Sequence, residues 1–225
     1  MIVLRLHNIS KKRGRDKHAV AALNHVSLQV KAGEFIIIEG PSGVGKTTLL
    51  AVSAGLLQPD TGTVSLAEAN LQKLTAAYCR KHRSRAAGFI FQRSNLLDGI
   101  TVRDNVRIMA SIADLPPDQA EETTNRLLDS LGLSALADRS TDSLSGGEEQ
   151  RVAVARALVH KPAVVFADEP TGNLDTHSGK AVADLLKSTA KHFGSAVLVT
   201  THDHRLAKYA SRRFYMIDGQ LKETS

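Results

Sequence analysis

The chain is short of several things, and each shortage narrows what it can be. Of its 225 residues one is a cysteine, Cys79, so no intrachain disulfide can form and a reducing cytoplasm is the expected setting. No apolar run approaches the roughly 18 residues of a membrane-spanning helix, so the chain is not expected to cross a bilayer by itself. Met1-Ile2-Val3-Leu4-Arg5 lacks the basic region, apolar stretch and cleavage site of a secretory signal. Internal repeats and low-complexity tracts are also missing, which at this length points to one domain, with or without an inserted subdomain. Aromatics make up only 4% of the chain. Two basic clusters, Lys11-Lys12-Arg13-Gly14-Arg15-Asp16-Lys17-His18 and Arg80-Lys81-His82-Arg83-Ser84-Arg85, therefore lack the interleaved rings of a single-strand stacking platform. Both read as solvated faces, and no nucleic-acid partner is expected despite a formal charge of +6. The nine histidines show no metal-ligand spacing.

What is present begins with Gly40-Pro41-Ser42-Gly43-Val44-Gly45-Lys46-Thr47, a glycine, four residues, then Gly-Lys and a hydroxyl. Glu34-Phe35-Ile36-Ile37-Ile38-Glu39 before it reads as a buried strand, and Thr47-Thr48-Leu49-Leu50-Ala51 opens a helical pattern. Strand, loop and helix in this order form a phosphate cradle. Gly40, Gly43 and Gly45 let consecutive N–H groups turn inward, and the helix presents its positive end. Lys46 can place a compact charge on β- and γ-phosphates, and Thr47 offers a hydroxyl to Mg²⁺, which needs few protein ligands.

Upstream, residues 2–7 and Ala22–Val30 alternate as strands, predicting a small antiparallel sheet before the loop. Gln58–Leu66 is a turn into a further strand, and Gly88-Phe89-Ile90-Phe91-Gln92 a short buried strand ending in an amide. From about 95 to 158 the texture becomes helical: Val102–Ala113, a helix starting near Pro116-Pro117-Asp118 and continuing through Ala120–Leu131, and a run from Gln150 to Leu158. Pro162–Glu169 and Ser195–His202 return to apolar strands, ending in Asp168-Glu169 and His202. Apolar strands interleaved with helices predict an α/β fold with a mostly parallel sheet, whose ligands sit beyond the carboxyl ends of its strands. Asp168 at such an end suits Mg²⁺, and Glu169 suits a water-activating base.

Leu144-Ser145-Gly146-Gly147-Glu148-Glu149-Gln150-Arg151, together with the phosphate loop, resembles the signature of ATP-binding cassette ATPases. The likeness covers almost the whole chain. It implies a P-loop NTPase core of the RecA-like kind, with an N-terminal antiparallel β subdomain, and with residues of about 95–158 as an inserted helical subdomain carrying the signature, in one domain spanning 1–225. Gln92 is similar to the family's Q-loop glutamine, Asp168 and Glu169 to its acidic strand end, Asn173-Leu174-Asp175 to its D-loop, and His202 to its switch histidine.

The resemblance implies ATP and Mg²⁺ as cofactors and a dimer with ATP held between copies. One copy would contribute Gly40 to Thr48, the other Ser145, Gly146, Gly147 and Glu148, with Asp175 near the interface. The catalytic set would be Lys46, Gln92, Glu169 and His202, and the metal set Thr47, Gln92 and Asp168. Where the family places an aromatic ring on adenine this chain has Arg13, whose guanidinium can stack on a base; His18 is a second candidate.

Asp168-Glu169-Pro170-Thr171-Gly172-Asn173-Leu174-Asp175, Thr200-Thr201-His202-Asp203 and Met216-Ile217-Asp218-Gly219-Gln220-Leu221 look like the lipoprotein-release, macrolide-export and cell-division branch. That implies a peripheral subunit on the cytoplasmic face of the cell membrane, paired with an integral-membrane permease and, in some members, a periplasmic adaptor. The Gly88 to Val106 stretch would dock the permease. The alternative within the family is a non-transporting regulator of a membrane complex, and beyond it a protein acting on ribosomes or DNA.

Overall fold

The computed structural model describes residues 1–14, 20–172 and 174–224. Two sheets organise them. Strands β1 (Ile2–Arg13), β2 (Val20–Lys31), β4 (Thr61–Leu66) and β5 (Ala69–Asn70) form an antiparallel sheet in the order β2-β1-β4-β5. Its pattern of buried Leu4, Leu6 and Ile9 against exposed Arg5 and His7 is what one wet face and one packed face require.

The second sheet has six strands in the order β10-β9-β3-β8-β7-β6. Here β3 (Phe35–Glu39), β6 (Ala87–Ile90), β7 (Val164–Asp168), β8 (Ala196–Thr200) and β9 (Arg212–Ile217) run parallel, and β10 (Gln220–Thr224) closes the edge antiparallel to β9. The central strands are apolar throughout because both faces are covered. Phe35, Ile37, Val165, Ala167, Val197 and Val199 belong to a core shared with helices α3 (Val102–Ile112), α4 (Pro117–Ser130), α5 (Gly146–Leu158) and α6 (Thr176–Phe193). The alternate residues Ile36, Ile38, Val164, Phe166, Ala196 and Leu198 pack with the antiparallel sheet and with α1 (Lys46–Ser53). Helix α2 (Ala76–Ala86) leads directly into β6. The strands, with β3 in the centre, bring their carboxyl ends, and whatever follows them, to one edge.

Strands β1 and β2 run longer than the expected 2–7 and Ala22–Val30, and three boundaries near the site also differ from expectation. Helix α5 begins at Gly146 rather than Gln150, because Ser145 and Glu148 form a reciprocal capping box that outweighs the poor propensity of two glycines. Strand β6 ends at Ile90, so Gln92 lies in the exposed segment beyond it. Strand β7 ends at Asp168, and Glu169 turns out of the sheet with φ 48°. Of the basic clusters, Lys11 pairs with Asp60 at 2.6 Å, Arg85 pairs with Asp114 at 2.5 Å, and Arg83 donates to the Gly55 carbonyl at 2.9 Å. His18 and Asn173 lie outside the described residues.

Candidate active site

Strand β3 delivers Glu39 to the start of the phosphate loop, and α1 takes the chain away at Lys46. The glycines are required for a reason other than ligand approach alone. A Cβ at Gly40 would stand 2.4 Å from the Met216 carbonyl oxygen, and one at Gly45 would stand 2.1 Å from that of Ala22, so strands β9 and β2 press directly on the loop. Gly45 also has φ 114°, which L side chains avoid. Gly43 has open space around it. Lys46 Nζ donates to the carbonyls of Gly40 at 2.7 Å and Pro41 at 2.9 Å, which holds the ammonium over the loop.

Strand β7 brings Asp168 alongside. Thr47 Oγ1 donates to its Oδ2 at 2.7 Å and Thr200 Oγ1 to its Oδ1 at 2.5 Å. A carboxylate and a hydroxyl this close, with no sulfur or imidazole among them, form a hard oxygen donor set of the kind Mg²⁺ takes.

Glu169 follows in a left-handed backbone conformation, its N–H donating to the Thr200 carbonyl at 2.8 Å. Such a residue costs on the order of 1–3 kcal/mol and persists where surrounding contacts over-determine it. Here they do: Glu169 Oε2 accepts from Thr201 Oγ1 at 3.1 Å and from the His202 N–H at 3.3 Å, and Oε1 meets His202 Nδ1 at 2.9 Å. Since a carboxylate only accepts, the ring is the donor in this contact, through Nδ1–H. The Glu169 side chain is 12% exposed and that of His202 71%, so the carboxylate is sheltered and its partner open to solvent.

These groups share an open pocket of about 300 Å³, lined by Ser42, Gly43, Gly45, Lys46, Thr47, Thr48, Gln92, Asp168, Glu169, His202 and, at the rim, Arg13. Arg13 sits at the end of β1 opposite Val20 of β2, which lines the same pocket. Gly40, Pro41 and Val44 shape the loop without lining it.

The signature residues are elsewhere. Ser145 caps α5, and Glu148 turns its carboxylate back to the Ser145 N–H at 2.8 Å and Oγ at 2.7 Å; these bonds hold its pKa below the usual range. Glu148 is thus engaged by its own helix terminus. Gly146 lines a second cavity of about 240 Å³ with Glu149, Gln150 and Leu174, and this cavity shares Gln92 and Glu169 with the first. Gly147 lies against Ser178, and Asp175 caps α6 by accepting from the N–H groups of His177 and Ser178; its pKa is lowered first by the Ser178 side chain and then by these N–H groups. Ser145, Gly147, Glu148 and Asp175 therefore do not reach the pocket of their own chain.

Helix α5 also grips the segment after β6. Gln150 Nε2 donates to the Phe91 carbonyl at 3.3 Å, and Arg156 donates to those of Ser94 and Asn95 at 2.7 Å each, its guanidinium pKa lowered by burial. Ser94 Oγ donates to Glu149 at 2.8 Å. Gln92 sits inside this span, tied to α5 on both sides. Sequence reasoning missed Thr200, Thr201 and Glu39 as parts of the site. The two threonines could have been found as hydroxyls directly following an apolar strand at its ligand-facing end.

Comparison with known proteins agrees with this geometry. The family model described as ABC transporter matches residues 23–172. A lipoprotein-releasing system ATP-binding protein, LolD, of Bacteroides fragilis is 38% identical over 97% of this chain and 100% of its own length. The uncharacterized ABC transporter ATP-binding protein YbbA of Escherichia coli is 39% identical over 98% of this chain and 97% of its own. A dimeric post-hydrolysis structure of the ATP-binding cassette MJ0796, bound to ADP and Pi, superposes with a TM-score of 0.91 at 32% identity, covering 99% of this chain and 98% of that one. The chain belongs to the ABC transporter family and is an ATP-binding cassette ATPase. Among the described residues no helix is long and apolar enough to cross a membrane.

Proposed function

We propose that the chain works as a pair of copies around two ATP and drives a membrane permease from the cytoplasmic face, in export or in extraction of lipoprotein or lipid. The observation that carries the catalytic part is the Glu169 carboxylate, held by His202 and Thr201 in the same pocket as Lys46 and Thr47. In this reading 1–225 form one domain, with residues of about 95–158 as its inserted helical subdomain.

The loop N–H groups and Lys46 bind the β- and γ-phosphates. Thr47, Asp168 and Gln92 would hold Mg²⁺, which when bound would neutralise phosphate charge. Glu169 orients the attacking water and takes its proton, while His202 steadies Glu169 and faces the γ-phosphate. The guanidinium of Arg13 stacks on the base. Ser145, Gly146 and Gly147, at the positive end of α5, bind the γ-phosphate of the other copy's nucleotide, with Asp175 at the same interface.

The permease contact falls on the segment after β6 and on α3. Leu97 is 45% exposed while its backbone is clamped by buried Asn105, which accepts from the Leu97 N–H at 2.8 Å and donates to its carbonyl at 3.0 Å. Ile108 and Ile112, one turn apart on α3, are also exposed. An apolar strip beside the Gln92 segment suits a short cytoplasmic helix of a membrane protein, and it connects that helix to the nucleotide through α5. The relative of Bacteroides fragilis, named for lipoprotein release, supports the extraction reading.

The test is the Glu169→Gln protein. It should bind ATP normally and turn over roughly 10²–10⁴ more slowly; hydrolysis at the parent rate sinks the assignment. The same variant, loaded with ATP and purified from gently solubilised membranes, should bring down a permease. Recovery of ribosomes or DNA-bound proteins without one sinks the transporter reading and leaves the ATPase chemistry in place.

A further inference from the structure

We propose that Glu39 and His204 form a positioning contact that ties the root of the phosphate loop to the segment carrying His202. This rests on the roles given above to Glu169 and His202. Four consecutive side chains of that segment reach four different places. His202 bonds Glu169, and Asp203 accepts from Thr171 Oγ1 at 2.8 Å. Arg205 grips Asp203 with Nε and Nη2 and donates through Nη1 to Thr176 Oγ1 at 3.4 Å, beside Asp175. His204 reaches back to β3, with Nδ1 3.4 Å from Glu39 Oε1.

Glu39 is an unusual residue to find there. It is the last residue of a strand otherwise made of Phe and Ile, it is 8% exposed, and it directly precedes Gly40, whose carbonyl receives Lys46. A buried carboxylate needs its charge and its lone pairs answered. Arg213 of β9 answers one oxygen, donating from Nη2 to Oε2 at 2.7 Å. The other oxygen, Oε1, is buried and has no hydrogen-bond partner among the described residues. Two donors belong to residues in contact with Glu39: Arg213 Nε, itself buried without a partner among the described residues, and the 89% exposed His204 ring, whose Nδ1 stands 3.4 Å from Oε1. A shift of a few tenths of an ångström brings the ring to hydrogen-bond distance and joins the His202–Arg205 segment to the root of the phosphate loop. The backbone supplies the hinge: the Thr201 N–H donates to the Ile38 carbonyl at 3.2 Å, one residue from each partner's segment. Glu39 and His204 are thus positioning residues, setting where His202 and Glu169 stand relative to the nucleotide.

The experiment is steady-state ATP hydrolysis by His204→Ala, Glu39→Ala and the double variant, with Glu169→Gln alongside and a thermal unfolding midpoint for each. Each single change should lower kcat roughly tenfold, less than the hundredfold that outright misplacement of a catalytic group can cost. The KM for ATP should stay within about twofold, and the double variant should be no slower than either single, because both remove one contact. His204 is exposed, so its truncation leaves the fold intact and decides the matter even if Glu39→Ala does not fold. A His204→Ala protein with parent kcat, or losses that multiply in the double variant, overturns the proposal. If Glu169→Gln also hydrolyses at the parent rate, the reading of the site has failed; if Glu169→Gln is inactive, only this contact has.

Discussion

The phosphate-loop pocket and the signature face are built on opposite principles. The pocket is closed on itself: Lys46 bonds its own loop, Asp168 is held by Thr47 and Thr200, and Glu169 by Thr201 and His202. Lys46, Asp168 and Glu169 each already have a partner at hydrogen-bond distance. The signature face satisfies its helix termini through Ser145, Glu148 and Asp175, and then turns away from the pocket of the same chain. A cap that uses Glu148 on its own terminus leaves Gly146 clear of side chains at the positive end of α5. One region gathers the loop, Lys46 and the strand-end acids into an ATP pocket, and among the described residues the other presents Ser145, Gly147 and Glu148 away from it. The pair makes sense as two halves of a site completed by a second copy.

The comparison can be broken most severely at its chemistry. Lys46→Ala should abolish measurable ATP binding and hydrolysis, a loss at least as large as the roughly 10²–10⁴ in turnover expected for Glu169→Gln. Nucleotide binding by Lys46→Ala at parent affinity would mean that the loop backbone alone suffices. The division of labour between regions is tested by mixing. Lys46→Ala and Ser145→Arg should each be inactive alone. Mixed copies should regain about a quarter of parent activity, since half of random pairs contain one site with both halves intact. No recovery would mean that both regions serve the same chain. Smaller is the effect at the pocket rim, where Arg13→Ala should weaken ATP binding by less than Lys46→Ala does; equal losses in a titration would count against the guanidinium as the base platform.

The smallest effect lies in the segment joining the two regions. Arg205 and Thr171 hold the Asp203 carboxyl down to about 2. Its folded pKa lies below the unfolded value of about 3.9, so the stability it contributes is present above pH 4 and is lost as pH falls through about 2. Arg205→Ala should therefore lower the unfolding midpoint at pH 7 and flatten its dependence between pH 4 and 2. Parallel pH curves for parent and variant would remove the ion pair from the account.

What could be read in the sequence was whatever lies close together in it. The strand, loop and helix around Lys46 are contiguous, and the apolar runs of β7 and β8 announce strands buried on both faces. The start of α5 reads four residues late, at Gln150, because two glycines argue against a helix by propensity although Ser145 and Glu148 have the spacing of a capping box. Neither the sheet order nor the pairing of β1 with β4 could be read, because each depends on segments dozens of residues apart. The clamp of Asn105 on Leu97 and the grip of Arg156 on Ser94 and Asn95 were hidden for the same reason. Glu39 was hidden by its setting, as one acid at the end of an apolar run says nothing of an arginine 174 residues later.

The left-handed backbone at Glu169 has a consequence for how this chain can change. Glycine would suit that conformation better than glutamate, and the relief would offset part of what is lost with the Thr201 and His202 bonds. At Glu169, the base of the proposed mechanism, backbone ease and side-chain bonding make opposite demands. A screen for thermal tolerance that ignores activity would tolerate glycine there, and the resulting protein would be sound in structure and inert.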